Sequence, residues 1–103
     1  MPFDPVQLDE VTRLLIGARE LIATKGWIKN EYKSEAGYCM LAAIMCSCDM
    51  GAGLIDYSRT INEAAKRLRS VVGTRNNIAY WNDRQDSVEA VLAAFDAAIA
   101  KAI

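Results

Sequence analysis

A chain of 103 residues with 52% apolar and 24% charged side chains can bury roughly 60 to 70% of the surface its unfolded form exposes, and this balance excludes a disordered tail or low-complexity linker. A net charge of −1 leaves no overall field to attract nucleic acid or anionic membrane. The absence of histidine removes the commonest general base, zinc ligand and mild-acid sensor together.

The first residues, Met1-Pro2-Phe3-Asp4-Pro5, lack a signal-peptide pattern, and Asp4-Pro5 reads as a helix start. Val11, Leu14, Leu15, Ala18, Leu21 and Ile22 then recur on one helical face, and Lys25-Gly26 ends it, so helix one is expected over residues 5–25. Residues 27–36 show no clean period and read as an ordered loop with Trp27 and Tyr32 folded onto the core. Residues 37–48 are apolar on every side, which predicts a buried central helix. The longest uncharged run, residues 36–48, falls short of the roughly 20 apolar residues a membrane span needs.

Gly51 and Gly53 interrupt the pattern, and Thr60-Ile61-Asn62-Glu63 has the form of a capping box. The third helix carries Ile61, Ala64, Ala65, Leu68, Val71 and Val72 on one face and stops at Gly73. Residues 74–77 form a polar turn, followed by the aromatic segment Ile78-Ala79-Tyr80-Trp81-Asn82-Asp83, read as a buried anchor entering a turn. Asp86-Ser87-Val88-Glu89 has capping-box spacing, and Val88, Val91, Leu92, Phe95, Ile99 and Ala102 make a stripe running to the end of the chain. Four helices without a strand pattern predict one all-α domain over residues 1–103, a small four-helix orthogonal array or irregular bundle.

Taken in order, Ala18-Arg19-Glu20-Leu21-Ile22, Gly26-Trp27, Cys39-Met40-Leu41-Ala42-Ala43-Ile44, Ile78-Ala79-Tyr80-Trp81-Asn82-Asp83, Val91-Leu92 and Ala98-Ile99 resemble a family of small uncharacterised bacterial and phage proteins, a domain of unknown function. The resemblance spans most of the chain, and the combination of Gly-Trp, a mid-chain Cys and Trp-Asn-Asp is its specific part. Ala42 departs from the glycine common there, which relaxes close helix packing. The resemblance implies a helical domain of bacteria and their mobile elements and supplies no activity.

Trp27, Tyr80, Trp81, Asn82 and Asp83 are the candidate ligand-binding residues, with Asp83 able to meet a cationic or hydroxylated group above the two aromatics of the motif. The preferred alternative is structural: Asn82 and Asp83 hold backbone amides, or Asp83 pairs with Arg19 across the core. Cys39, near a helix start, is a candidate for a lowered thiol pKa, but a working cysteine usually needs an imidazole and this chain has none. Cys39 and Cys46 share a helical face and Cys48 does not; zinc would further need Asp49 or Asp56, so no metal or cofactor is expected. An odd number of cysteines reads as reduced thiols, in keeping with a cytoplasmic protein.

Arg59, Lys66, Arg67 and Arg69 make the third helix a candidate phosphate-contacting face, opposed by the acidic remainder of the molecule. Met40, Met45 and Met50, with Ala93, Ala94, Ala97 and Ala98, are candidates for a partner or homodimer surface. The reading these residues favour is a non-catalytic protein-interaction or regulatory module; the family resemblance alone implies that it could act by masking a host protein. The alternative is a small-ligand or nucleotide-binding protein using the Trp81–Asp83 region and the basic helix.

Overall fold

Helix α1 (Glu10–Lys25) begins where Asp9, in extended backbone, accepts the Thr12 amide through its side chain, and ends at Gly26 with φ 107°. The structure, a computed structural model, describes residues 9–50 and 57–101, with side chains at 9–47 and 59–101. The expected start at Asp4-Pro5 lies outside those residues, as do Gly51, Gly53, Asp56, Ala102 and the side chains of Cys48, Asp49 and Met50. With Asp9 as the cap, the helix starts at Glu10 rather than at residue 5.

The expected loop, residues 27–36, holds the first strand of an antiparallel hairpin whose second strand lies just beyond it: β1 (Lys33–Ser34) pairs with β2 (Gly37–Tyr38), Lys33 to Tyr38 and Ser34 to Gly37. Two-residue strands are too short to show alternation, so periodicity could not reveal them. Tyr38 also bridges to the chain leaving α1: its amide donates to the Gly26 carbonyl, and its carbonyl accepts the Ile28 amide. The central helix α2 (Met40–Met50) therefore starts three residues later than residue 37, because Gly37 and Tyr38 belong to the hairpin.

Helix α3 (Tyr57–Val72) begins before Thr60, which overturns the capping box there. Thr60 is buried inside the helix and its hydroxyl reaches Glu10 Oε2 at 3.4 Å. A short helix α4 (Ile78–Asp83) is capped by Asn77, whose side chain accepts the Tyr80 amide. Helix α5 (Val88–Ala100) is capped by Ser87, one residue later than the Asp86 box expects. The protein is thus mostly helical, with five helices among the described residues where four were expected, plus the small hairpin.

One cluster of buried side chains draws on all five helices, including Leu15, Ile22, Met40, Ile44, Leu68, Ile78 and Phe95. α1 packs against α2, α3 and α5, and α2 against α4 and β2. Gly17 lets α1 approach α2, since a Cβ there would meet Ser47 Oγ at 2.3 Å. Ala94 and Ala98 lie in this core, so half of the alanine surface proposed for a partner is already covered, whereas Ala93 and Ala97 are exposed. Met40 is likewise core, and Met45 is 38% exposed. Among the described residues no helix is long and apolar enough to cross a membrane.

Candidate functional site

The Gly-Trp, Cys and Trp-Asn-Asp motifs, far apart in sequence, meet at the N-terminus of α2. Asn82, the penultimate residue of α4, is 0% exposed and sits at the centre. Its Oδ1 accepts from Trp27 Nε1 at 2.7 Å and from the Met40 amide at 3.0 Å. Its Nδ2 donates to the Ile28 carbonyl at 3.1 Å and to Asp83 Oδ1 at 3.2 Å. A side-chain amide offers two donors and two acceptor positions, and all four are engaged. Asn82 therefore ties the α1 exit, the start of α2 and α4 together, with no hydrogen-bonding capacity to spare for a ligand.

Cys39 completes the same helix terminus. Its carbonyl accepts the Ala43 amide as the first bond of α2, its amide donates to the Tyr32 carbonyl, and its sulfur accepts the Ala42 amide at 3.4 Å. It stands in the N-cap position, where orphan amides need acceptors. The sequence suggested a lowered thiol pKa; the structure reverses this. Burial, aided by the nearby Asp83 charge, pushes the thiol above its ordinary value and outweighs the amides of Ala42 and Leu41 that favour the thiolate. The prediction is selective labelling: a thiol reagent on the native protein should modify half-buried Cys46 well before Cys39, read by peptide mass mapping. Equal rates at the two positions would show that the Cys39 burial is wrong.

Asp83 does not pair with Arg19, as the sequence reading allowed. Arg19 reaches across to α5 and holds Asp96 through Nε at 2.6 Å and Nη2 at 3.4 Å. Both sit on the surface flank of the α1–α5 contact, where such a pair adds about 0 to 1 kcal/mol. Asp83 instead accepts the Asn30 amide at 2.7 Å through Oδ1. That bond fixes Asn30 at φ 67°, a conformation Asn tolerates better than most residues. Beside it, Lys29 Nζ donates to the Gln85 carbonyl, a second tie from the hairpin approach to the end of α4.

The aromatics divide between core and surface. Trp27 and Trp81 pack against the core, but Tyr80 is 47% exposed rather than a buried anchor, with the Arg84 guanidinium 5.4 Å above its ring. Tyr32 is 46% exposed instead of folded onto the core, and Tyr38 takes its place there. The cleft beside Asp83, about 250 Å³, is lined by Asn30, Glu31, Tyr32, Cys39, Leu41 and Ala79 as well, so neither Trp81 nor Tyr80 floors it. The roles of Asn30, Gly37, Tyr38 and Asn77 escaped the sequence reading. Two of them had a signal: Asn30 as a residue suited to left-handed backbone, and Asn77 as a cap directly before Ile78.

The candidate basic face on α3 is not uniformly basic. Arg67 is drawn inward, its Nη1 donating to Thr12 Oγ1 at 2.9 Å and its Nη2 standing 3.7 Å from Asp9. Arg59 lines a cleft of about 580 Å³ together with Asp9, Glu10, Thr60, Glu63 and Arg67. Lys66 is exposed and Arg69 half-buried. Three carboxylates thus share the surface with the arginines. Among the described residues no group of three or more His, Cys, Asp or Glu is placed to hold a metal ion.

Burial alone would raise the Asp9 carboxyl, but the Thr12 hydrogen bonds and the Arg67 charge outweigh it and hold the pKa below its ordinary 3.8. A depressed folded value contributes stability that is present above the unfolded pKa and lost as pH falls through the folded one. Asp9→Ala should therefore cost about 1 kcal/mol at neutral pH through the lost cap. Its melting curve should converge with that of the wild type as the pH drops below 3.8. A deficit that persists undiminished in acid would mean that the carboxylate is not its source.

No curated protein and no solved structure matches the chain. A family model does: the description is a family of unknown function, DUF6197, and residues 7–101 match it. That span covers the α2-terminal knot and every described helix in full, and the chain belongs to this family.

Proposed function

We propose that this helical domain is a non-catalytic protein-interaction module of the bacterial cytoplasm, masking or regulating a partner protein. One observation carries the reading: the two fully buried polar side chains of the distinctive motifs, Asn82 and Cys39, are spent on the scaffold. Asn82 has its hydrogen bonds filled, and Cys39 is a buried cap with a raised pKa. Around them Tyr32 and Tyr80 are about half exposed, and exposed tyrosines favour protein contact. The free thiols of Cys39 and Cys46 support a reducing compartment. The bacterial or phage setting, and with it a host protein as the target, rests on the motif resemblance.

A second reading, small-ligand or nucleotide binding, has one observation in its favour. The cleft at Arg59 and Arg67, about 580 Å³, falls within the roughly 300 to 1,000 Å³ of small-molecule sites. Its carboxylates from Asp9, Glu10 and Glu63 oppose an anion. Native mass spectrometry of protein purified gently from its host separates the two readings. A protein assembly that contains this chain supports the module. A retained small molecule, with no protein partner, overturns it.

A further inference from the structure

The cleft between the hairpin and α4 differs in character from the one on α3. Its apolar lining comes from Leu41, Ala79 and the protonated Cys39, with Tyr32 also in the lining. Its polar groups are the carboxylates of Asp83 and Glu31 and the loop residue Asn30. Asp83 spends Oδ1 on the Asn30 amide and Asn82 Nδ2. Among the described residues its Oδ2 has no hydrogen-bond partner, and neither Asp83 nor Glu31 has a cation within ion-pair distance. The two nearby lysines are engaged elsewhere, Lys29 at the Gln85 carbonyl and Lys33 toward Cys46 Sγ. Among the described residues, a half-buried carboxylate in the lining of this cleft is left without a counter-charge.

Size narrows the occupant. About 250 Å³ lies below the roughly 300 to 1,000 Å³ typical of metabolite sites, but suffices for one long side chain. A lining that combines apolar side chains with carboxylates suits a methylene stem that ends in a cation. Next to the cleft, the Tyr80–Arg84 ridge runs one helical position from the Ala79–Asp83 ridge that lines it, extending the surface beyond a single side chain. We infer that this cleft receives a single lysine or arginine side chain of a protein partner, with Asp83 and Glu31 meeting the cation and Leu41 and Ala79 covering the stem. The inference deepens the interaction-module reading and rests on it.

The test is an amide-detected NMR titration of the full chain with N-acetyl-arginine amide, N-acetyl-lysine amide and the neutral N-acetyl-norleucine amide. The cationic probes should give saturable shifts at residues 30–32, 79 and 83, weakened by added salt, and norleucine should not. Glu31→Gln, at an exposed position, should weaken binding several-fold. Asp83→Asn keeps an acceptor for the Asn30 amide, so it should fold, and it should weaken binding about tenfold. Equal shifts with norleucine, shifts elsewhere, or indifference to both substitutions would overturn the inference. A natural complex that survives both substitutions would keep the module reading and discard this cleft. A homodimer dissociated by both would make a second copy the occupant, and tight retention of a free polyamine without any protein would discard a protein partner altogether; either outcome overturns the inference.

Discussion

Gly37→Ala should lower the melting temperature by roughly 15 °C, the largest effect expected of any conservative change in the chain. A Cβ at this position would lie 2.3 Å from both the carbonyl carbon and the oxygen of Gly26 and 2.7 Å from the Trp27 amide nitrogen. All three are backbone atoms, which cannot rotate away as a side chain can. Overpacking costs about 1 to 3 kcal/mol, and a non-glycine residue in left-handed backbone about 1 to 2 more. Gly37 has φ 148°. The sum, about 3 kcal/mol, is a large part of a small domain's stability.

Gly26→Ala should behave alike, since its Cβ would meet the Ala36 carbonyl oxygen at 2.3 Å. Gly73→Ala separates the two causes. It too has positive φ, at 72°, but nothing lies within 4 Å of the added Cβ, so only the conformational cost of about 1 kcal/mol remains. Thermal melts of the three variants decide the matter. A Gly37→Ala protein no less stable than Gly73→Ala would show that the two backbones are not in contact.

Asn82→Ala should cost about 3 to 5 kcal/mol and leave the protein at the edge of folding. The truncation strands three groups: Trp27 Nε1–H, the Met40 amide and the Ile28 carbonyl. Each unmet buried group costs about 1 to 3 kcal/mol, and the sum falls short of full addition because the site relaxes. Asn82→Asp is the informative companion. A carboxylate still accepts from Trp27 and Met40, but it cannot donate to Ile28 and it places a second negative charge beside Asp83. Its loss should be intermediate. Trp27→Phe combined with Asn82→Ala should be less damaging than the two separate losses added, a coupling above about 0.5 kcal/mol in a double-mutant cycle. Strict additivity would mean that the indole and the amide do not share a bond.

Much of the helical framework could be read from spacing. The α1 face at Leu14, Leu15, Ala18 and Ile22 is buried, as are Ala64, Ala65 and Leu68 of α3, because a 3.6-residue period records which side of a helix faces apolar neighbours. Gly26 and Gly73 stand just past the helices they end, since positive φ is a local demand that the residue type announces. Less local features misled. Ala94 and Ala98 looked like spare surface on α5, but small residues serve equally well at a close helix contact in the core. Arg67 looked like part of a phosphate face, and only the position of α1 turns it toward Asp9 and Thr12.

The same division applies to the candidate site. The Trp-Asn-Asp and Gly-Trp motifs stand out in the sequence, and Asn and Asp ahead of a turn suggest that their side chains hold backbone amides. Which amides they hold is a matter of assembly. Met40 is 42 residues from Asn82, Trp27 is 55 and Asn30 is 53 from Asp83, separations at which no local pattern operates. The sequence by itself determined a mostly helical chain, the apolar faces of its longer helices, and the absence of an imidazole for catalysis. Only the tertiary structure decided that a hairpin follows α1, that Gly26 and Gly37 touch, and that one buried asparagine joins three segments. Propensity and period act within a few residues, whereas hydrogen-bond partners across a core are chosen by how whole elements pack.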